Sequence, residues 1–192
     1  MSRLITTPVT TARLVIDVLT VDDAPAVAAY RSDPDVARYQ GWAVPYLVEQ
    51  AAALAGSGQL ALREEGDVVG DAMVETVAGS PLSVEIGVTL APAAQGRGLA
   101  TEAVVALVGA AFASGRARAI AYVDVRNEPS QRLFDRAGFR REGLLHHSYQ
   151  SADGLVDEVL FAATADRWPQ PADEPAVASP SGRRLPLLER DR

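Results

Sequence analysis

A short glycine loop between an alternating stretch and a helical stretch is the feature that most constrains this chain. The loop, Gln95-Gly96-Arg97-Gly98, follows residues 82–90, in which apolar residues alternate with others as in a β-strand. After the loop, small and apolar residues recur with helical spacing from Ala100 to Phe112. The sequence therefore predicts a strand, a glycine loop and a helix, in that order.

Two glycines separated by one residue let the backbone turn tightly and approach a ligand with no Cβ in the way. The first amides of the next helix have no partner inside it and lie at the positive end of its dipole. This arrangement favours an anion such as a pyrophosphate, with Arg97 adding charge at the rim. The same glycines also suit an ordinary connection that caps a helix. The loop lacks the Lys-Ser/Thr of a P-loop and the third glycine of a dinucleotide fingerprint.

Composition narrows the classes of function. The 192 residues suit one domain, and the 48% apolar content excludes a disordered chain. No apolar run is long enough to cross a membrane and the start lacks signal-peptide features, so we expect a cytoplasmic protein without a membrane partner. The net charge of −7 argues against nucleic acid as a partner and suits a cationic substrate.

The scarcity of metal- and thiol-type ligands also limits the chemistry. With no cysteine, an acyl group cannot be held on a protein thiol, which favours direct transfer between two bound substrates. The two histidines, His146 and His147, are adjacent and would face opposite sides of a strand. We therefore expect no metal.

The order of elements predicts an α/β (α+β) fold with a mixed, mostly antiparallel sheet of about seven strands and helices on both faces. Strands are predicted at residues 12–18, 59–64, 68–77, 82–90, 119–125, 139–150 and 155–163. Helices are predicted to begin at Asp22 or Asp23, at Asp33, at Tyr46, after Gly98 and near Pro129. Residues 1–168 form the predicted domain, and the proline-rich residues 169–192 a flexible tail.

Two blocks of the chain resemble the GCN5-related N-acetyltransferase (GNAT) superfamily. Gln95-x-x-Gly98-x-Ala100 is similar to the acetyl-CoA pyrophosphate loop of that family, and residues 127–139 are similar to its downstream Asn-to-Gly-Phe block. The opening Thr11–Ile16 and the closing Asp157–Phe161 resemble the branch that includes the RimJ/RimL-type ribosomal-protein acetyltransferases. The resemblance covers roughly residues 11–168.

The resemblance implies acetyl-CoA as the acyl donor, held in a V-shaped slot between the fourth and fifth predicted strands. A bulge at Gly87-Val88 would open the slot and free an amide for the thioester oxygen. Asn127 would bond the pantetheine or acetyl portion, or else only cap the helix at Pro129. The implied cofactor-binding residues are Val88, Gln95, Gly96, Arg97, Gly98, Leu99, Ala100, Thr101, Asn127 and Ser130.

Acetyl transfer to an amine needs a group that removes the amine proton. Glu85, on the strand that leads into the loop, is our first candidate; the alternative is a carboxylate paired with an arginine for stability. Phe134 stands where many family members carry a proton-donating tyrosine. Ser148 and Tyr149 are the secondary candidates for that acid.

The first helical region and its loop form one wall of the acceptor groove in the family, which makes Tyr39, Trp42 and Tyr46 candidates for substrate contact. Trp42 could instead pack over the edge of the core. The resulting hypothesis is an acetyl-CoA-dependent N-acetyltransferase that acts on a protein N-terminus or a small-molecule amine, with a homodimer left open. The alternative is a CoA-binding regulatory module that keeps the fold without turnover.

Overall fold

Eight strands and five helices are formed within the residues that the computed structural model describes, 4–151 and 154–169. The strands are β1 (Val9–Thr10), β2 (Val15–Val18), β3 (Leu60–Glu64), β4 (Asp67–Thr76), β5 (Ser83–Leu90), β6 (Arg118–Asp124), β7 (Arg140–Ser151) and β8 (Gly154–Thr164). The helices are α1 (Ala24–Arg31), α2 (Pro34–Ala37), α3 (Val48–Leu54), α4 (Leu99–Ala113) and α5 (Glu128–Arg136).

The strands form one mixed sheet in the order β1-β2-β3-β4-β5-β6-β8-β7. Only β5 and β6 pair in parallel, because the long helix α4 carries the chain back across the sheet between them. Their register pairs end at Glu85 and Ile120, although both strands continue beyond that point. The predicted splay between these two strands is therefore confirmed.

The predicted bulge at Gly87 and Val88 is wrong. β5 pairs with β4 in unbroken register from Val84 to Leu90. On its other side, β6 stays paired with β8 as far as Asp124. The slot therefore opens because each strand keeps its outer neighbour, without an inserted residue in β5. A second difference is the two-residue strand β1, which pairs with β2 and brings the predicted seven strands to eight.

Hydrophobic residues pack on both faces of the sheet. Along β3, Leu60 and Leu62 belong to the cluster that contains α4, whereas Ala61 belongs to the cluster that contains α1 and α3. Because successive side chains of a strand point to opposite faces, these two clusters lie on opposite sides of the sheet. The prediction of helices on both faces is thus confirmed.

The C-terminal end of the described chain packs against the core. The Trp168 ring meets the rings of Phe112 and Phe139 edge-on at 5.9 Å. The predicted tail lies outside the described residues except for Pro169, and so do Ala152 and Asp153. Within the described ranges, no helix is long and apolar enough to cross a membrane.

Candidate active site

The glycine loop forms a row of backbone amides at the start of α4. Gly96 and Gly98 have φ angles of +72° and +82°, which glycine adopts readily and other residues do not. Gly98 is the N-cap of α4, no side chain caps this end, and the first backbone bond of the helix runs from Glu102 N to Gly98 O. Among the described residues, no acceptor is bonded to the amides from Gly96 to Thr101. These donors therefore face outward at the positive end of the helix dipole.

Three loop residues contribute differently from the prediction. The Arg97 guanidinium bonds both carboxylate oxygens of Glu64 on β3 at 2.8 and 2.7 Å, so its charge is already compensated. The Leu99 side chain is fully buried in the core, which leaves only its amide for a ligand. The Gln95 side chain donates to the Leu90 carbonyl at 3.0 Å and braces the loop against the end of β5.

A cleft of about 850 Å³ runs along the loop and the start of α5. Eight of the ten predicted cofactor residues line it, namely Val88, Gln95, Gly96, Gly98, Ala100, Thr101, Asn127 and Ser130. Sequence reasoning missed three arginines in the same lining: Arg38, Arg132 and Arg136. The i, i+4 spacing of the last two on a helix that follows Asn127 was a usable signal, because it places both on one face.

Asn127 combines the two roles that the sequence left open. Its Oδ1 accepts a hydrogen bond from Ser130 N at 3.1 Å and caps α5. Its side chain also lines the 850 Å³ cleft, which we call the cofactor cleft because it contains most of the predicted cofactor residues. Nδ2 has no hydrogen-bond partner among the described residues. The amide nitrogen therefore remains available to a ligand while the oxygen holds the helix.

A second cleft, of about 790 Å³, lies beside the point where β5 and β6 separate. It contains the predicted Glu85, Ser148, Tyr149, Tyr39 and Trp42 together with Phe134. Six residues line both clefts, namely Tyr39, Gln40, Val88, Thr89, Asn127 and Ser130. The two spaces therefore meet at the parted strands, and we call the second one the acceptor cleft.

Glu85 is half-buried in the acceptor cleft, and its carboxylate makes no hydrogen bond or ion pair with a described residue. The alternative of an arginine-paired structural carboxylate is therefore not realised. Burial, followed by the negative charges of Glu75 and Glu158, raises the pKa of Glu85 above its usual range. A carboxylate without a partner and with a raised pKa is suited to accept a proton from a bound amine.

Glu158 on β8 is a second carboxylate in the acceptor cleft, and sequence reasoning missed it. Burial raises its pKa, opposed by a hydrogen bond from Ser148 and assisted by the charge of Asp124. Ser148 Oγ donates to Glu158 Oε2 at 2.9 Å, so the predicted Ser148 acts in a pair with it. The usable signal was a glutamate directly before the apolar run Val159–Ala163.

Ser148 reaches Glu158 because β7 is irregular between Leu145 and Tyr149. His147 has a φ of +51°, and Asp157 accepts from its backbone amide and contacts the His146 ring at 2.9 Å. The regular strand alternation expected for the two histidines is therefore wrong. Within the described part of the chain, no group of three or more His, Cys, Asp or Glu residues could hold a metal ion.

The predicted aromatic contacts divide between the acceptor cleft and the core. Tyr46 is buried, lines neither cleft and packs beside Arg31, so the structure places it away from substrate. Trp42 lines the acceptor cleft and also covers the Arg31 guanidinium at 4.2 Å. Arg31 in turn forms a buried ion pair with Asp71, at 2.8 Å, which anchors this wall of the cleft to β4.

Tyr149 on β7 contacts Gly41, in the loop after α2. A Cβ built on Gly41 would overlap the Tyr149 hydroxyl oxygen, and both residues line the acceptor cleft. β7 and the loop after α2 are therefore in contact across the cleft at this point.

With this geometry established, comparison with known proteins gives the class. A family model described as the acetyltransferase (GNAT) domain matches residues 13–140. The uncharacterized N-acetyltransferase p20 of Bacillus licheniformis is 29% identical over 167 residues, covering 79% of this chain and 93% of that protein. The chain belongs to the GNAT family and is an N-acetyltransferase.

Solved structures agree with this assignment. A GNAT-family acetyltransferase from Bacillus anthracis is 26% identical, with a TM-score of 0.77 over 82% of this chain and 98% of that one. Mycobacterium smegmatis RimJ in complex with CoA-disulfide is 24% identical, with a TM-score of 0.73 over 82% and 84% of the two chains. The second likeness shows that the fold is the one found in the RimJ/RimL-like branch.

Proposed function

We propose that the chain transfers an acetyl group from acetyl-CoA directly to a primary amine while both are bound. The observation that carries the proposal is the junction of the two clefts. Outward-facing amides lie along one cleft, and the unpaired carboxylate of Glu85 lies in the other. A cofactor in the first space can therefore present its acyl end to an amine in the second.

The residues along the cofactor cleft fit coenzyme A. Amides between Gly96 and Thr101 can bond separate oxygens of a diphosphate, and Arg136 adds positive charge near them. Arg132 lines the same cleft but is paired with Glu128 at 2.9 Å. In this proposal Asn127 Nδ2 bonds the pantetheine arm and the Val88 amide bonds the thioester oxygen, since both residues line the cleft. Bound acetyl-CoA supplies the activated carbonyl carbon.

Proton transfer is the chemical task of the acceptor cleft. An amine is protonated at neutral pH and attacks only after losing a proton, which Glu85 accepts. Phe134 has no hydroxyl, so the departing sulfur leaves as a thiolate that takes its proton from water or from another group. We assign this role first to the Ser148 hydroxyl, which donates to Glu158 Oε2 in the structure and would turn to the sulfur, with water restoring its proton. Tyr149 is the second candidate.

The acceptor is a primary amine, either a protein N-terminus or a small molecule. Glu85 and Glu158 together with Tyr39 and Trp42 form an acidic, aromatic lining that suits a cation. The proposed location is the cytoplasm. Because the buried Phe134 replaces the proton-donating tyrosine of many family members, the second candidate function is a CoA-binding module without turnover.

Release of free thiol from acetyl-CoA in the presence of a panel of primary amines and N-terminal peptides tests the proposal. We expect amine-dependent release and a matching mass increase of 42 Da on the acceptor, the difference between an acetyl group and a hydrogen. Binding of CoA with no release for any amine would favour the module instead. No binding of CoA would refute both.

A further inference from the structure

Arg13 and Glu102 connect the chain before β2 to the first turn of α4, directly beside the cofactor loop. Arg13 Nε and Nη2 contact Glu102 Oε2 at 2.7 and 2.6 Å. The other oxygen, Oε1, accepts from Arg13 N at 2.9 Å and from Thr11 Oγ1 at 2.6 Å. A carboxylate with four such contacts holds these two segments in a defined relative position.

The same arginine also holds the loop itself. Arg13 Nη1 donates to the Arg97 carbonyl at 2.9 Å, and Nη2 lies 3.6 Å from a Cβ built on Gly98. Arg97 lies between the two glycines with left-handed φ, and glycines lose more conformational entropy on ordering than other residues do. Since no side chain caps the start of α4, a contact to this carbonyl from outside the loop restricts its conformations.

Charge is the second effect of the pair. Burial alone would raise the pKa of Glu102, but hydrogen bonds from Thr11 and Arg13 outweigh it and hold the pKa below its usual range. Glu102 is therefore ionised at neutral pH, one helical turn from the outward-facing amides. A lone carboxylate there would repel a diphosphate, and Arg13 compensates that charge.

We propose that Arg13 is a positioning residue for the cofactor: it fixes the Arg97 carbonyl and cancels the charge of Glu102 beside the diphosphate site. The inference rests on the proposed function, because it takes the ligand of the loop to be coenzyme A. It gives Arg13, which precedes β2, a role in the affinity for coenzyme A although Arg13 lines neither cleft.

Three variants separate the charge effect from simple loss of a contact. Calorimetric titration of CoA into Arg13→Gln should show an affinity about tenfold weaker than wild type, and the loss should shrink at high salt. Glu102→Gln breaks the same ion pair but leaves Arg13 positive, so CoA should bind with wild-type or higher affinity. The double variant should recover the part of the loss that is due to charge but not the part due to the lost Arg97 contact, so its CoA affinity should lie between those of Arg13→Gln and wild type.

If the Arg13–Glu102 ion pair only holds the two segments together, both single variants should weaken CoA binding equally, and the double variant should bind CoA no more tightly than either of them. That result, or wild-type affinity in Arg13→Gln, would overturn the inference. Arg118→Gln removes an Arg–Glu ion pair at the start of β6 and serves as the control, with unchanged affinity expected. Failure of the wild-type protein to bind CoA would instead refute the proposed function. Thermal melts of all variants report folding separately.

Discussion

Glu85 and Ile120 form the last register pair between β5 and β6, and the two strands separate beyond it. Glu85 therefore lies where the paired sheet gives way to the slot. Its carboxylate is half-buried by the strands on either side yet lines the acceptor cleft. This position explains how a residue of the sheet has a raised pKa and still faces the acceptor cleft.

Replacement of Glu85 by Gln keeps the shape and removes the proton acceptor. We expect kcat/KM for the amine to fall by about 100-fold or more, with CoA affinity unchanged. Wild-type activity should rise with pH through the raised pKa of Glu85, because only the ionised form accepts a proton. The variant should lack this acidic limb. An intact limb in Glu85→Gln would show that another group is the base.

Substitution of Glu75 can shift the acidic limb of the pH profile without altering Glu85 itself. It pairs with Glu85 across β4 and β5, and its negative charge contributes to the raised pKa of Glu85. Glu75→Gln should therefore lower the pKa of Glu85 and move the acidic limb of the kcat/KM profile to lower pH. A limb that does not move, or moves to higher pH, contradicts the assignment.

Gly98 tests the cofactor loop directly. Its φ of +82° disfavours any side chain, and a glutamate there would also bring a negative charge to the diphosphate site. We expect Gly98→Glu to weaken CoA binding by at least about 100-fold, measured by titration. Gly79→Glu is the matched control. Gly79 has a φ of +74° in an exposed turn before β5, so it bears similar strain while CoA affinity should stay normal.

Asp23 tests an ion pair that joins the start of α1 to β3. A hydrogen bond from Arg63 lowers the pKa of Asp23 to about 2, and its side chain is 9% exposed. The stabilisation is present above the unfolded pKa of about 3.9 and is lost as pH falls towards 2; it amounts to about 2 kcal/mol at pH 7.

Urea unfolding of Asp23→Asn should accordingly show a lower free energy of unfolding than wild type at pH 7, with a difference that shrinks between about pH 4 and pH 2. Asp22→Asn, one residue earlier and exposed, is the control and should change little. A deficit for Asp23→Asn that is equal at every pH would point to lost packing in place of lost charge.

The strand, glycine loop and helix around Gly98 could be predicted from the sequence because the residues that determine them are close together in the chain. The glycines with positive φ, the alternating strand before them and the apolar helix stripe after them all fall within about thirty residues of sequence. The downstream block at Asn127 was identified by its resemblance to the family, and the alternative role of Asn127 as a helix cap follows from a pattern that is also local.

The acceptor cleft was predicted less fully because strand register determines its lining. Glu158 lies ten residues after Ser148, but their hydrogen bond depends on the irregularity in β7, which residue order does not reveal. Tyr46 shows the converse. An aromatic residue in a candidate wall can be turned inward, and here its ring covers a buried arginine instead of facing substrate.

The contact between Gly41 and Tyr149 depends on the lack of a side chain at residue 41. A methyl group there would overlap the Tyr149 hydroxyl and displace its ring. Glycine at this position is therefore what lets the loop after α2 and strand β7 approach each other at the edge of the acceptor cleft.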